Sequence, residues 1–373
     1  INSYIIYTSG STGKPTGVVI SNSNLLNFII GINKKVNIKK EDNVVSITTV
    51  CFDIFGLEIW VTLSYGATMI FANEVECVNG NELSRLCVKN NVNIIQTTPT
   101  KLKLLLNDNN SIFMKKIKKI LLGGEIVGED IVDNLRILTN AEIYDVYGPS
   151  ETTIWSTLKN LNGKTVNAGK PIDNTYIYIL DSKNRLLPIN ISGQLAIAGD
   201  SVSTGYYKND ELNKESFYVK DGILYHDTED LGYYIAGIGF WCKGRESRQM
   251  YDQTGKKIDY EAIENLISNM EEIDNCMVVQ NKDTGDLILY VSLKPEYFYL
   301  KDMLQEKIKN LIFDKFNSEP SLLPKYISVL EKFPITENAK KCWVELEKLK
   351  INSEDRCEYL TYSKQIKKTK NAY

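Results

Sequence analysis

Residues 4–19 read Tyr-Ile-Ile-Tyr-Thr-Ser-Gly-Ser-Thr-Gly-Lys-Pro-Thr-Gly-Val-Val. An apolar run that is typical of a β-strand leads into residues dominated by glycine, hydroxyl side chains and one lysine. Glycines let a backbone approach a ligand closely, hydroxyl and N–H groups donate hydrogen bonds, and a lysine supplies positive charge. The stretch therefore predicts a strand followed by a loop that wraps a polyphosphate, and an ordinary glycine- and serine-rich turn is the alternative.

This loop departs from the G-x-x-x-x-G-K-[ST] pattern of P-loop nucleotide triphosphatases. Thr8 stands where the first glycine of that pattern belongs, and Pro15 follows Gly13-Lys14 where a serine or threonine is required. The sequence thus favours a nucleotide-binding protein outside the P-loop class.

Composition places the chain among ordinary globular proteins. It has 373 residues, of which 43% are hydrophobic and 24% are charged, enough for two or three domains with a large core. The formal net charge of −3 does not favour nucleic acid as a partner, and no apolar run is long enough to predict a membrane span. Seven cysteines without a C-x-x-C pair predict reduced thiols in a cytoplasmic protein. The single histidine, His226, argues against a histidine-based triad.

Changes of pattern divide the chain into four regions. Residues 1–160 alternate strand-like and helix-like segments, which predicts an α/β part with a mostly parallel sheet. Residues 161–243 carry short alternating runs between glycine and asparagine turns, which predicts a small β subdomain. Residues 244–350 predict a small α+β C-terminal lobe, and residues 351–373 a polar, lysine-rich tail. Because the chain begins with Ile1 inside the first predicted strand, we expect that N-terminal sequence is missing.

Further blocks downstream resemble, in order and with similar spacing, the motifs of one protein family. They are Phe52-Asp53, Leu122-Gly-Gly-Glu125, Ile143-Tyr-Asp-Val-Tyr-Gly-Pro-Ser-Glu-Thr-Thr153, Gly193-Gln-Leu-Ala-Ile-Ala-Gly199 with Gly205-Tyr206, Thr228-Glu-Asp-Leu-Gly232, Gly244-Arg245 and Pro334-Ile-Thr-Glu-Asn-Ala-Lys340. From residue 1 to about residue 345 the chain resembles the amino-acid-activating adenylation domains of nonribosomal peptide synthetases, which belong to the adenylate-forming superfamily. One such block would be weak support, whereas the ordered set is specific.

The resemblance implies that a carboxylate attacks the α-phosphate of ATP, which gives an acyl-AMP and pyrophosphate. Transfer to the phosphopantetheine thiol of a separate peptidyl carrier protein would follow. Reactions at phosphorus depend mostly on positioning and charge neutralisation. Glu151 would accordingly bind Mg²⁺, Ser150 would donate to the α-phosphate, and Lys340, on a mobile C-terminal lobe, would bridge the substrate carboxylate and the phosphate. The residues that would hold the β- and γ-phosphates are Thr8, Ser9, Gly10, Ser11, Thr12, Gly13 and Lys14.

The resemblance also implies a site for the adenosine part of the nucleotide. Tyr147 would stack on adenine, with Gly124 and Asp145 at the edge of the base. Asp230 would accept hydrogen bonds from both ribose hydroxyls, and Arg245 would lie near the ribose. Taken singly, Tyr147 reads as a core tyrosine and Asp230 as a turn aspartate, so only the ordered blocks favour nucleotide binding.

An amino-acid pocket is implied in the same way. Asp53 would pair with the substrate ammonium group, which distinguishes amino acids from aryl or fatty acids, and Lys340 would contact the substrate carboxylate. The other lining positions would be Ile54, Leu57, Gln96, Leu121, Gly123, Val146, Ile154 and Trp155. Their bulk leaves little room, so we expect glycine as the favoured substrate and alanine as the second. The alternative for the apolar members is ordinary core, which explains Asp53 less well.

Three residues depart from the family pattern inside its blocks. Glu229 replaces the glycine of the T-G-D block, Ser247 stands where the hinge block usually has an aspartate, and Ala339 replaces a glycine. Together with the expected missing N-terminal segment, these changes keep open a catalytically degenerate adenylation fold or fragment that acts as an interaction module. An acyl- or aryl-CoA synthetase is a second alternative, and Asp53 argues against it.

Overall fold

The chain folds into two compact units, Ile1–Ser247 and Arg248–Tyr373. The computed structural model describes residues 1–9, 15–106, 111–162, 169–245, 250–251, 257–258, 260–281, 284–317, 322–334, 343–349 and 355–357. None of the helices in these ranges combines the length and the hydrophobicity that a bilayer crossing requires.

An antiparallel ribbon opens the first unit. Strand β1 (Asn2–Ser9), which confirms the strand predicted before the loop, pairs with β2 (Pro15–Ser21). Most of β2 is buried, including Val18 and Ile20, whereas Tyr7 on β1 is exposed. The ribbon therefore brings the two ends of the predicted phosphate loop together, while Gly10–Lys14 themselves lie outside the described residues.

Helix α1 (Asn22–Val36) follows directly, and its start is fixed by a capping box. The Ser21 hydroxyl accepts from the Asn24 N–H (3.2 Å), and the Asn24 amide oxygen accepts from the Ser21 N–H (3.0 Å), so the first orphan donors of the helix are satisfied. Phe28 and Ile32 recur at helical spacing and are buried, which attaches the helix to the core.

A seven-stranded sheet forms the centre of the first unit. Its strands in chain order are β3 (Asn43–Ser46), β4 (Thr68–Phe71), β5 (Ile94–Thr97), β6 (Lys119–Gly123), β7 (Glu142–Tyr147), β8 (Thr157–Asn160) and β9 (Lys170–Pro171). Across the sheet the order is β4-β3-β5-β6-β7-β8-β9, with parallel pairing up to β7 and antiparallel pairing beyond it. The predicted mostly parallel sheet is confirmed, and the carboxyl ends of its parallel strands, where such sheets bind ligands, share one edge.

Helical segments connect these strands. They are a π-helical turn (Leu57–Val61) that continues into α2 (Thr62–Ser64), α3 (Gly80–Lys89), α4 (Pro99–Leu106), a 3₁₀ turn (Ser111–Lys115), α5 (Glu129–Leu138) and a 3₁₀ turn (Ser150–Thr152). Alternate residues of the strands pack into two cores, so that Leu122 faces one and Leu121 faces the other. The site described below lies on the Leu121 face.

A five-stranded antiparallel sheet completes the first unit. Its strands are β10 (Thr175–Leu180), β11 (Gly193–Gly199), β12 (Phe217–Lys220), β13 (Ile223–Ile235) and β14 (Gly239–Arg245), with α6 (Asp210–Ser216) before β12. The long strand β13 pairs with β11, β12 and β14. This sheet confirms the predicted β-rich region.

The second unit combines helices with a three-stranded sheet. Its elements are β15 (Met250–Tyr251), β16 (Lys257–Ile258), α7 (Tyr260–Ser268), β17 (Ile273–Gln280), β18 (Leu287–Leu293), a 3₁₀ turn (Pro295–Leu300), α8 (Lys301–Phe316), β19 (Tyr326–Leu330) and α9 (Trp343–Leu346). Strand β18 lies between β17, with which it is antiparallel, and β19, with which it is parallel. Within the stretch predicted as a polar tail, Arg356 pairs with Tyr326 and Cys357 is buried.

Candidate active site

Tyr147 and Asp230 connect the parallel sheet to the β-rich sheet. Tyr147 is the last residue of β7, and its hydroxyl donates to Asp230 Oδ2 at 2.5 Å. Burial raises the pKa of Tyr147 well above its usual value, and the Asp230 charge adds to this. The edge of the Tyr147 ring meets Phe240, with centroids 5.6 Å apart. The structure therefore brings together two residues predicted to contact adenine and ribose.

Asp230 lies inside strand β13 rather than in a turn. Its Cα partner on β14 is Arg245, the other residue predicted near the ribose, and the register shifts between Asp230 and Gly232. Such a shift is a local irregularity that re-aims a side chain. The side chain of Arg245 is outside the described part of the chain, so its predicted role stays a prediction.

Glu229, which replaces the glycine of the family pattern, has a backbone conformation that is unfavourable for a residue with a side chain. Its φ of +59° is left-handed, a region that glycine enters freely and that costs other residues roughly 1–2 kcal/mol. The Glu229 N–H donates to Asp227 Oδ1 at 3.1 Å, and its side chain is exposed. The glutamate is thus accommodated next to Asp230 with the same backbone shape that a glycine would take.

Asp145 and Gly124, predicted at the adenine edge, lie on neighbouring strands. Asp145 on β7 pairs with Leu122 on β6, and Gly124 follows the end of β6 with a φ of +78°, which favours glycine. Burial raises the pKa of Asp145 to about 8, and Lys159, its partner on β8, opposes this rise. The Asp145 carboxyl is therefore held partly protonated near neutral pH.

Ser150 and Glu151 occupy the 3₁₀ turn after β7. The Ser150 hydroxyl donates to Asp53 Oδ2, so a residue predicted for the α-phosphate touches the residue predicted for the substrate ammonium. Glu151 Oε1 accepts from the Tyr206 hydroxyl at 3.0 Å, and the Glu151 carbonyl accepts from the Ser203 N–H at 2.8 Å. Tyr206 was not among the predicted site residues, although the quoted Gly205-Tyr206 block contains it.

The backbone just after this turn is strained. Thr153 and Ile154 have φ values of +62° and +70°, and a β-branched residue such as isoleucine rarely adopts this region. Both residues are fully buried, and the Thr153 hydroxyl donates to the Ser201 carbonyl at 2.7 Å. Strain of this kind persists where surrounding contacts fix it and is common at functional sites. Here the strained backbone places Ile154 and Trp155 at the predicted pocket.

Most of the predicted pocket residues lie together. Those that belong to one apolar cluster are Ile54, Leu57, Leu121, Val146, Ile154 and Trp155. Asp53 is 7% exposed and Gln96 is fully buried. A Cβ on Gly123 would lie 2.4 Å from the Val146 carbonyl oxygen and 2.8 Å from Trp155 Cη2, so the indole rests against the Gly123 backbone.

The phosphate-binding residues are only partly covered by the structure. The Thr8 hydroxyl donates to the Thr16 carbonyl across the ribbon, at 3.5 Å. Gly10, Ser11, Thr12, Gly13, Lys14 and Lys340, and the side chain of Ser9, fall outside the described part of the chain. Their predicted roles therefore stay predictions.

Comparison with known proteins settles the family. The sequence profile of the family described as AMP-binding enzyme matches residues 2–207. The chain belongs to this family. With its relatives among nonribosomal peptide synthetases and its structural neighbours, it is an adenylation domain of the adenylate-forming superfamily.

Two sequence relatives illustrate this membership. The dimodular nonribosomal peptide synthase of Bacillus subtilis is 32% identical over 289 residues, which cover 75% of this chain and 12% of that protein. Bacitracin synthase 2 of Bacillus licheniformis is 27% identical over 349 residues, which cover 90% of this chain and 13% of that protein. The adenylation domain thus corresponds to a small part of the length of these relatives.

Solved structures agree with the fold. A holo four-domain nonribosomal peptide synthetase bound to AMP and glycine has a TM-score of 0.79 at 26% identity, over 96% of this chain and 26% of that chain. An A-PCP protein complexed with phenylalanyl-adenylate, McyG, has a TM-score of 0.78 at 23% identity, over 93% of this chain and 66% of that chain. The second likeness shows the fold alone.

Proposed function

We propose that this domain uses ATP and Mg²⁺ to convert a small amino acid, glycine first and alanine second, into aminoacyl-AMP with release of pyrophosphate. Transfer of the aminoacyl group to the phosphopantetheine thiol of a peptidyl carrier protein, in the cytoplasm, follows. The observation that carries this proposal is the buried Asp53 carboxylate, which accepts a hydrogen bond from Ser150. The next residue, Ile54, packs in the same apolar cluster as Trp155, which lies against Gly123.

Asp53 favours an amino acid over other carboxylic acids. A buried carboxylate is costly unless charged or polar groups compensate it, and the ammonium group of an amino acid compensates it through a charge-assisted hydrogen bond. An aryl or fatty acid brings no such cation. The buried Asp53 carboxylate therefore supports amino-acid activation over an acyl- or aryl-CoA synthetase.

The packing around Gly123 favours a small substrate. A Cβ added there would overlap the Val146 carbonyl oxygen and Trp155 Cη2, so the indole already packs directly against the Gly123 backbone. Tightly packed walls reject extra methyl groups more strongly than loose ones. The structural neighbour bound to AMP and glycine supports glycine as the first candidate.

The nucleotide residues fit the proposed cofactors. Mg²⁺ usually takes one or two carboxylates and completes its shell with water and phosphate oxygens, which matches Glu151. In the described ranges, no cluster of three or more His, Cys, Asp or Glu side chains occurs. When bound, the ion would supply charge neutralisation at the phosphates. The Tyr206 hydroxyl donates to the Glu151 carboxylate and so orients it. The Asp230 carboxylate, which accepts from the Tyr147 hydroxyl, would also accept hydrogen bonds from the ribose.

Lys340 and the opening loop complete the proposed site. Lys340 would stabilise the charge that builds up between the substrate carboxylate and the α-phosphate, and the loop from Thr8 to Lys14 would hold the phosphates that leave as pyrophosphate. A mobile second unit would bring Lys340 to the reaction.

Amino-acid-dependent exchange of pyrophosphate into ATP tests the proposal. We expect the strongest exchange with glycine, weaker exchange with alanine, and loss of both in Asp53→Asn, which removes the compensating charge. Asp133→Asn, an exposed carboxylate paired with Arg136, is the matched control and retains exchange. Strongest exchange with a bulky residue such as phenylalanine overturns the glycine assignment. Absence of both exchange and ATP binding instead favours the catalytically degenerate alternative.

A further inference from the structure

A fully buried acid lies next to the predicted pocket and has no role in the chemistry proposed above. Glu58 is in the π-helical turn Leu57–Val61, and its side chain is 0% exposed. Turns of this kind are frequent at functional sites. Because burying an acid is costly, its surroundings must compensate it.

Four donors surround the Glu58 carboxylate. They are the Ser46 hydroxyl at 2.7 Å, the Thr48 hydroxyl at 2.5 Å, the Thr48 N–H at 3.3 Å and the Gln96 amide nitrogen at 3.4 Å. A carboxylate only accepts hydrogen bonds, so this donor set matches its ionised form. Burial raises the pKa of Glu58 to about 7, and these hydrogen bonds oppose the rise.

Gln96 joins Glu58 to Trp155. Its amide nitrogen donates to the Ile54 carbonyl at 2.6 Å and to Glu58, while its amide oxygen accepts from the Trp155 indole N–H at 2.8 Å. A reversed amide would set its nitrogen against the indole N–H, which is donor against donor, and its oxygen against two acceptors. Glu58 and the Ile54 carbonyl therefore select one orientation of Gln96, and that orientation holds the indole.

The indole position matters because of its close fit. Trp155 is 1% exposed, and its Cη2 would lie 2.8 Å from a Cβ on Gly123. A change in the tilt of the ring would change the space that the pocket offers to a substrate side chain. The orientation of Gln96 is thus coupled to the size of the side chain that the pocket admits.

We propose that Glu58 is a positioning residue for substrate selection: through Gln96 it holds Trp155 where the pocket admits glycine and rejects larger side chains. This inference rests on the proposed function, because it concerns the selectivity of that same pocket. A charged acceptor fixes the Gln96 amide more firmly than a neutral one would, since charge-assisted hydrogen bonds are the stronger ones.

The ratio of kcat/KM for glycine to kcat/KM for alanine, measured by pyrophosphate exchange, tests the proposal. In Glu58→Gln we expect this ratio to fall by roughly tenfold, the lower end of the range that one methylene group is worth in a hydrophobic pocket. The KM for ATP should stay unchanged. A general loss of folded protein would lower both activities equally, so an unchanged ratio overturns the inference.

Glu142→Gln is the matched control. Its carboxylate also accepts a hydrogen bond from a hydroxyl, that of Tyr144 at 3.0 Å, but it lies at the start of β7. The substitution should leave the glycine-to-alanine ratio unchanged. If it lowers the ratio as Glu58→Gln does, selectivity follows any loss of a carboxylate, and the inference fails.

A double-mutant comparison separates a positioning role from other effects. Trp155→Phe removes the N–H that Gln96 accepts from, so Glu58→Gln should change the ratio no further in that background. An equal change in both backgrounds shows that Glu58 does not act through Trp155, and this overturns the inference. Should Glu58→Gln fail to fold, Ser46→Ala removes one of the four donors, and a smaller fall of the ratio in the same direction is expected.

The indole N–H resonance of Trp155 gives a readout that needs no activity. The chain has four tryptophans, and the signal of Trp155 is the one that Trp155→Phe removes from a spectrum of ¹⁵N-tryptophan-labelled protein. We expect Glu58→Gln to shift this signal and to speed its exchange with solvent. If the wild-type protein activates neither amino acid but the signal responds, the proposed function fails while the Glu58 network stands. An unchanged signal overturns the inference itself.

Discussion

The hydroxyl of Ser150 donates to the carboxylate of Asp53, although the two residues lie 97 positions apart in the chain. Ser150 belongs to the turn after β7, where we propose that the α-phosphate binds, and Asp53 belongs to the proposed amino-acid pocket. One hydrogen bond therefore joins the proposed α-phosphate position to the proposed amino-acid pocket. This contact gives the first prediction.

Ser150→Ala should weaken amino-acid activation. A hydrogen bond to a charged group contributes roughly 1.5–3 kcal/mol, so we expect kcat/KM for glycine in the exchange reaction to fall by about ten- to a hundredfold. Ser268→Ala, which removes an exposed serine hydroxyl bonded to the Asn265 carbonyl in the second unit, should change nothing. Equal kinetics of Ser150→Ala and wild type would show that the contact does not support the reaction.

Glu229→Gly should stabilise the protein. Removal of the left-handed strain raises the free energy of unfolding by roughly 1–2 kcal/mol. The greater freedom of glycine in the unfolded chain lowers it by about 0.4–1 kcal/mol. We therefore expect the free energy of unfolding, measured in urea, to rise by about 0.5–1 kcal/mol. Glu211→Gly, in the first turn of helix α6, is the matched control and should lower it by roughly 0.5 kcal/mol. A loss of stability in Glu229→Gly contradicts the strain argument.

The sequence predicted the parallel sheet well and parts of the β-rich sheet poorly. Buried parallel strands such as β5 are short apolar runs between helical segments, and this pattern is local. Strand β13 includes Thr228-Glu229-Asp230, which reads as a turn when taken alone. Its pairing with β11, β12 and β14 overrides that local preference, because strand pairing depends on distant residues.

The candidate site shows the same limit. Ordered blocks indicated Asp53, Tyr147 and Asp230, because the resemblance to one family covers nearly the whole chain. Glu58 was missed, since an acid between Leu57 and Ile59 in a helical pattern gives no sign of being buried. The π-helical turn, together with donors from other segments (Ser46, Thr48 and Gln96), holds it in its buried position.

Gly123→Ala should be more damaging than its size suggests. The new Cβ would lie 2.4 Å from the backbone carbonyl oxygen of Val146, and a clash with backbone is not relieved by a rotamer change. Overpacking of this kind costs on the order of 1–3 kcal/mol, and we expect glycine-dependent exchange to be lost as Trp155 moves. In Gly222→Ala nothing lies within 4 Å of the new Cβ, so the alanine is strained only by the positive φ of this position. This variant should keep exchange. Full activity of Gly123→Ala would show that the wall yields.

Asp145→Asn should reduce the dependence of stability on pH. Burial raises the pKa of Asp145 from 3.8 to about 8, so the folded state binds a proton more tightly than the unfolded state does. The resulting stability is complete below about pH 4 and is lost as the pH rises through about 8, at up to about 1.4 kcal/mol per pH unit. An asparagine does not titrate, so the free energy of unfolding in urea should fall less between pH 5 and pH 8 than in the wild type.

The exposed Asp133→Asn should keep the wild-type slope. If the slope of Asp145→Asn equals that of the wild type, Asp145 is ionised throughout this range. Because the buried Glu58, with a pKa of about 7, changes stability in the same direction, some slope should persist in Asp145→Asn and diminish further when Glu58→Gln is added.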